Sequence, residues 1–447
     1  DTVAPYAVMD CHGNYECPHC GHKHQDQKAA NDGESVSLGK AKNKKVTLSL
    51  LVHPDWLHGS PGIDPSGNSY GGSVTDSATA TAAWLKERIA AQKLIEVRGV
   101  LPKEIICPDS NQPMYTTSKG GTVPKKSHFA CGVCGQSQDI LATAIRHGTM
   151  PPSAPTVIQG YCPECDEHGY PYSGRFFSVP EPRALSSAVF EWHRRREDDL
   201  CEFWPRQELP YGLEADFWSV RDHGYGHFWK MFNERQLLVH ALLLRAIVNL
   251  SDKYCESTRD IALGVFQQYL RNQCMFTLWN RQADQLEPQF SKNNYRPKSQ
   301  PIENSVFSDL GRGNWTSCLE KLHSLTDWRQ SPWELVCNAD VQELVDSFEL
   351  KGKSTKINIG DSPISATLTS ISSTDLSCVD DDSLDMIVTD PPFGDLLQYS
   401  EMADFFYVWL RIALADVHGE YFESSVTPQA LEVVANKARA GDGADDF

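Results

Sequence analysis

The segment Asp390-Pro391-Pro392-Phe393 gathers residue types that suit one reaction, transfer of a methyl group to an aromatic amine. The lone pair of such a nitrogen is delocalised into its ring, which makes it a poor nucleophile. Two acceptors aimed at its two N–H bonds draw it toward tetrahedral geometry and localise the pair. Asp390 supplies a carboxylate. The carbonyl of Pro391 supplies the second acceptor, held rigid because Pro391 and Pro392 both have fixed φ. Phe393 offers a face on which an extruded base can stack. The same carboxylate stabilises the positive charge that develops on nitrogen, and alignment supplies much of the rate without a matched general base. The competing reading is a diproline turn with no chemistry.

A second constellation is made of thiols. The chain has 14 cysteines, and Cys17/Cys20, Cys131/Cys134 and Cys162/Cys165 form Cys-x-x-Cys pairs beside Gly or Pro. Two such knuckles complete one tetrahedral zinc site. Zinc is redox-inert and suits thiolates, so the expected role is structural. Proximity in sequence joins the second and third pairs. Cys11, Cys107, His12, His19, His22, His24 and His168 are candidate completing ligands, each equally readable as an ordinary residue. Cys201, Cys255, Cys274, Cys318, Cys337 and Cys378 stand alone and read as structural. Metal-type spacing without a secretory signal points to a reducing, cytoplasmic setting.

The elements that must position these groups divide the 447 residues into three regions. Residues 1–182 are rich in Cys, Gly, Pro and His and read as a zinc-ribbon and loop region, with a flexible stretch at 59–81 and a helix at 82–92. Residues 183–348 read as helical, a candidate target-recognition insert. Its helices are expected at 181–200, 234–250, 258–279 and from Pro332-Trp333 to about 348, with a polar surface connection at 285–307. Residues 349–447 change to an α/β pattern. A strand at 356–359 ends in Gly360-Asp361. A second, apolar strand at 385–389 reads as buried on both faces, followed by an amphipathic helix at 399–414 with Phe405, Val408, Trp409 and Ile412 on one side. Prolines cannot continue a central strand, so the chain leaves the sheet at Asp390. Ligand sites of open parallel sheets lie at the strands' carboxyl ends, which places Asp390 in a crevice.

The bulk properties narrow the classes. No stretch has the roughly 20 apolar residues of a membrane span. A net charge of −18 argues against a protein that coats nucleic acid non-specifically. It leaves room for a local basic groove, for which Lys40, Lys42, Lys44 and Lys45, Arg194 to Arg196, and Lys292, Arg296 and Lys298 are the candidates.

The tetrapeptide resembles the Asp-Pro-Pro-Phe/Tyr/Trp motif of the amino-methyltransferases, whose Asp form is typical of DNA adenine-N6 enzymes. With Ile357-Asn358-Ile359-Gly360-Asp361-Ser362, Tyr399-Ser400-Glu401 and Asp404 to Leu410, the chain resembles the zinc-ribbon-containing adenine-specific DNA methylases, bacterial and archaeal enzymes of modification and phage defence. The likeness is closer over 232–250 and 355–415 and loose over 1–230. It implies an incomplete Rossmann-like methyltransferase sheet carrying an inserted zinc-ribbon region and a helical region. It also implies S-adenosylmethionine and Zn2+ as cofactors, and double-stranded DNA with a flipped adenine as substrate. Asp361 would contact the cofactor's adenine or ribose; a turn or helix N-cap is the alternative. A Gly-Thr-Val strand before the second knuckle, here Gly121-Thr122-Val123, favours pairing Cys17 and Cys20 with Cys131 and Cys134.

The family's glycine-rich cofactor turn is not found in this sequence. Gly311-Arg312-Gly313 and Gly441-Asp442-Gly443 follow no apolar strand, and a bare Gly-x-Gly is weak evidence. Three explanations fit: a sequence lacking both ends of the enzyme, a cofactor site supplied by a partner subunit, or a non-catalytic relative. The first is the expectation, and these residues alone should bind cofactor poorly. The rival reading is a zinc-containing nucleic-acid-binding or assembly subunit of a defence complex, joined to other defence-system subunits.

Overall fold

A computed structural model describes residues 2–3, 14–16, 23–25, 46–52, 78–90, 92–98, 103–106, 111, 113–115, 128–130, 134–147, 155–161, 163, 175–210, 220–280, 285–292, 295, 297, 301–308, 311–337, 354–358, 369, 376–390 and 399–429. The chain divides into two compact units, Asp1–Ala246 and Ile247–Phe447.

The first unit opens with short antiparallel sheets. Strands β1 (Thr2–Val3), β4 (Val46–Val52) and β5 (Gln92–Arg98) form a three-stranded sheet in the order β1-β4-β5. Two-stranded ladders join β2 (Asn14–Glu16) to β3 (Lys23–Gln25), β6 (Glu104–Ile106) to β7 (Pro113–Tyr115), β8 (His128–Ala130) to β9 (Ser137–Asp139), and β10 (Ile158–Tyr161) to β11 (Arg175–Ser178). Helix α1 (Ala78–Ala90) begins four residues earlier than its periodicity predicts. Helix α2 (Ile140–His147) follows β9 directly, its first turn held where Asp139 Oδ1 accepts the Ala142 N–H at 2.9 Å.

Helix α3 (Pro182–Arg195) starts with proline at its first position, where a missing N–H costs nothing, and ends in His193, Arg194 and Arg195, which suit the negative end of the helix dipole. Leu185, Val189 and Trp192 recur at helical spacing and are buried. Leu185 and Val189 pack with Leu85 and Ile89 of α1 into one apolar cluster. Helix α4 (Glu234–Val248) begins with a reciprocal cap: the Asn233 N–H donates to Gln236 Oε1 and the Gln236 N–H to Asn233 Oδ1, both at 3.0 Å. Its apolar residues Leu237, Ala241 and Leu244 are buried, in keeping with the central helix read from the sequence.

The second unit is built on helices. Helix α5 (Glu256–Leu270) leads into the hairpin β12 (Leu278–Asn280)/β13 (Gln285–Glu287), then α6 (Trp315–Gln330). The ladder β14 (Trp333–Cys337)/β15 (Ser354–Asn358), helix α7 (Tyr399–Leu414) and the short α8 (Gly419–Phe422) follow. The bounds of α7 are those its sequence predicts. Phe405, Val408 and Trp409 are buried, and two of them meet aromatic side chains of other elements: Phe266 of α5 lies edge-on to Trp409 at 5.8 Å, and Phe290 edge-on to Phe405 at 5.8 Å. Each fully buried side chain of this kind contributes roughly 1.5–3 kcal/mol. On another stripe of α7, Asp404, Tyr407 and Arg411 hold the chain that returns over it. Tyr407 donates its hydroxyl to the Ser424 carbonyl at 2.9 Å, and Arg411 its Nε–H to the Phe422 carbonyl at 3.1 Å.

Other segments differ from their sequence reading. The helix expected at 258–279 ends at Leu270, and Leu278–Asn280 is a strand paired with β13. The helix expected from Trp333 begins instead as strand β14, whose five residues pair antiparallel with β15; ladder pairing outweighs the helical reading. The connection expected on the surface at 285–307 carries the strand β13 and buries Leu286 and Tyr295, because its aromatic residues have core partners. The Gly311-Arg312-Gly313 turn leads into α6 and has no strand before it. Gly313 has φ +71°, and a Cβ there would lie 2.2 Å from Asn272, so glycine is required. Its carbonyl accepts from Gln273, and the next residue, Asn314, caps α6 by accepting the Ser317 N–H at 2.8 Å.

Candidate active site

Asp390 ends the described stretch 376–390, which is irregular and exposed. Turns shape its beginning: the Val379 N–H donates to the Leu376 carbonyl at 2.9 Å, the Ser383 hydroxyl to the Asp380 carbonyl at 2.6 Å, and Asp382 takes a left-handed φ of 56°. The buried strand expected at 385–389 is not formed. Met386, Ile387 and Val388 are 77%, 74% and 85% exposed. The physical reason is pairing: an apolar run becomes a central strand only where neighbours satisfy its backbone and cover both faces. Among the described residues none does, and every strand pairing is antiparallel.

The carboxylate of Asp390 is exposed, reachable by a ligand, and preceded by the exposed carboxylates of Asp380, Asp381, Asp382 and Asp385. Pro391, Pro392 and Phe393 lie outside the described residues, as does Asp361; the strand expected at 356–359 is β15, which runs two residues earlier at its start and ends at Asn358. Asp390 lines neither of two recesses that lie among described residues. One, of about 390 Å³, lies among Gln136, Ser137, Gln138, Asp139, Ala142 and Arg146. The other, of about 430 Å³, lies among Ser324, Asp327, Trp328, Ser331 and Trp333.

Of the cysteine pairs only Cys134 is described, and it is exposed. Cys17, Cys20, Cys131, Cys162 and Cys165 lie outside the described residues, while His24 sits in β3 opposite Tyr15. Among the described residues no three His, Cys, Asp or Glu side chains converge in a way that could hold a metal ion. The thiols of Cys274 and Cys318 are buried, in keeping with the structural role read for the isolated cysteines, whereas those of Cys201, Cys255 and Cys378 are exposed and fill no core position.

The basic run 194–196 is spent within its own unit. Arg194 pairs with Glu191 at 2.6 Å, and Arg195 binds Asp199, which Arg245 also binds. These guanidiniums hold the Asp199 carboxyl well below its usual range. A polar pair that sequence reasoning missed joins α3 to α4: His193 Nε2 lies 3.1 Å from Glu234 Oε1. Burial pushes the Glu234 carboxyl up, and the His193 bond opposes that rise.

Comparison with known proteins adds no kinship: no protein family, no curated protein and no solved structure matches the chain. No helix among the described residues is long and apolar enough to cross a membrane.

Proposed function

We propose that this chain carries the catalytic part of a DNA adenine-N6 methyltransferase, working in DNA modification or phage defence. The observation that carries the reading is the Asp390-Pro391-Pro392-Phe393 tetrapeptide, with Asp390 on exposed chain between β15 and the aromatic helix α7. Asp390 accepts one N–H of the target amine and the Pro391 carbonyl the other; Phe393 stacks on the flipped base. The carboxylate then stabilises the positive charge that forms on nitrogen as the sulfonium leaves as a neutral thioether, and the methylated amine releases one proton to solvent. S-adenosylmethionine supplies the methyl group as an electrophilic sulfonium. Of this chain's residues only Asp361 is assigned to that cofactor, and it lies outside the described residues, so no step is routed through it.

The fold of the reading is an incomplete α/β methyltransferase sheet, with zinc held by the cysteine pairs; 385–389 is not one of its strands. The acidic approach to Asp390 carries no cation for phosphate, and Arg194 and Arg195 are engaged by carboxylates. Phosphate contacts are therefore assigned to Lys40, Lys42, Lys44 and Lys45 and to Lys292, Arg296 and Lys298.

The deciding experiment is methylation of adenine-containing duplex DNA by the full chain and by Asp390→Ala. Loss of about two orders of magnitude or more in rate, with an unchanged circular dichroism spectrum, is expected. Unchanged methylation in the variant removes the mechanism. The unpaired run Met386 to Val388 favours a second reading, a non-catalytic zinc-containing nucleic-acid-binding or assembly subunit. That reading gains if the protein binds DNA but neither S-adenosylmethionine nor its demethylated product.

A further inference from the structure

The recess at the carboxyl end of α6 combines three features of one electrostatic sign. Trp328 and Trp333 stand among its lining residues, and the π-face of an indole attracts cations. The Asp327 carboxylate stands among its lining residues and is exposed. The last turn of a 16-residue helix adds the negative pole of its dipole; Arg329 in that turn does not line the recess. Ser324 and Ser331 complete the lining, and none of the five residues is basic.

The recess is also preorganised. The Trp328 Nε1–H donates to the Trp333 carbonyl at 2.9 Å, which fixes the ring across the turn, and Trp333 is anchored in the ladder opposite Asn358. The Ser331 N–H closes the helix on the Asp327 carbonyl at 3.1 Å. About 430 Å³ accommodates a small planar or tetrahedral cation in contact with an indole. Phosphate and carboxylate ligands are disfavoured by all three features at once.

We propose that this recess binds an organic cation, a guanidinium or alkylammonium group. The site is independent of Asp390 and of the methyl-transfer reading. Two probes separate the two cation chemistries. The full chain, labelled at its indole N–H groups, is titrated with choline and with N-acetyl-arginine amide. Each is set against its neutral isostere, 3,3-dimethylbutan-1-ol and N-acetyl-citrulline amide.

Saturable shifts of the Trp328 and Trp333 signals in the millimolar range are expected for at least one cation, weakening with added salt. The neutral isostere and Asp327→Asn should each weaken binding about threefold or more. Preference for choline assigns an alkylammonium; preference for the arginine derivative assigns a guanidinium. Equal binding of a cation and its isostere, shifts that never saturate, or a dissociation constant unchanged in both Asp327→Asn and Trp328→Leu overturns the proposal. Both substitutions fall on exposed positions, and an unchanged circular dichroism spectrum confirms that the fold survives them.

Discussion

Asp404 on α7 accepts two hydrogen bonds from Thr427, one from its backbone N–H at 2.7 Å and one from its hydroxyl at 2.6 Å. Gln429 adds a third through Nε2 at 2.9 Å. The carboxylate is fully buried, so its cost of desolvation is offset only while these donors stay in place. Asp404→Asn removes the charge and turns an N–H toward a donor. It should lower unfolding stability by about 2 kcal/mol or more, read from urea denaturation. Thr427→Val, which removes only the hydroxyl, should cost about half as much. A midpoint unchanged in both variants would show that the clip is not made.

Glu234 links stability to pH. Its folded carboxyl titrates above the ordinary 4.5 because burial disfavours the anion. Between 4.5 and that higher value the unfolded chain has already released a proton that the folded chain keeps. Stability should therefore be fullest below 4.5 and fall as pH rises through the folded value. Glu234→Gln should flatten this part of the profile, checked by denaturant midpoints between about pH 4 and 7. A profile of the same slope in wild type and variant would assign the effect to another group.

The exposed position of Ile387 sets a third expectation. Ile387→Lys should change stability by less than about 0.5 kcal/mol, as surface substitutions do. A loss of several kcal/mol would place the side chain in a packed sheet instead. Amide exchange across 385–389 reports the same question without a substitution, and unprotected amides are expected.

Metal analysis tests the cysteine pairs. The purified chain should carry about one zinc per completed pair of knuckles. Cys134→Ser should lose about one equivalent, because the Cys131/Cys134 knuckle takes part whether its mate is Cys17/Cys20 or Cys162/Cys165. Retention of the full complement would leave Cys134, which is exposed, as an ordinary thiol.

How far the sequence can be read depends on the kind of signal. Helix α7 is legible to the residue, since Phe405, Val408 and Trp409 recur at helical spacing and each is buried in the fold. The lone Asp404 at the head of that apolar run is visible too, but its meaning depends on Thr427, 23 residues on, and no local pattern encodes that. Helix α6 escapes a reading by periodicity, although Asn314 before Trp315 is an N-cap signal, because its exposed residues give little apolar pattern. The run at 385–389 misleads for the converse reason. Propensity states what a segment prefers, whereas a strand also needs neighbours, which composition does not supply. For the candidate site, Asp390 is named from its chemistry alone, while the Trp328/Trp333 recess arises only where a helix end meets a strand start.

The bare apolar stretch Met386 to Val388 carries a hazard and its own protection. Two copies meeting edge-to-edge through it would lie about 4.8 Å apart and stack Asp385 on Asp385, with Asp380, Asp381, Asp382 and Asp390 close behind. These acids act as gatekeepers, making self-association repulsive where hydrophobicity alone would promote it. Substituting them with asparagine would leave the apolar run untouched while removing the restraint on fibre-like growth.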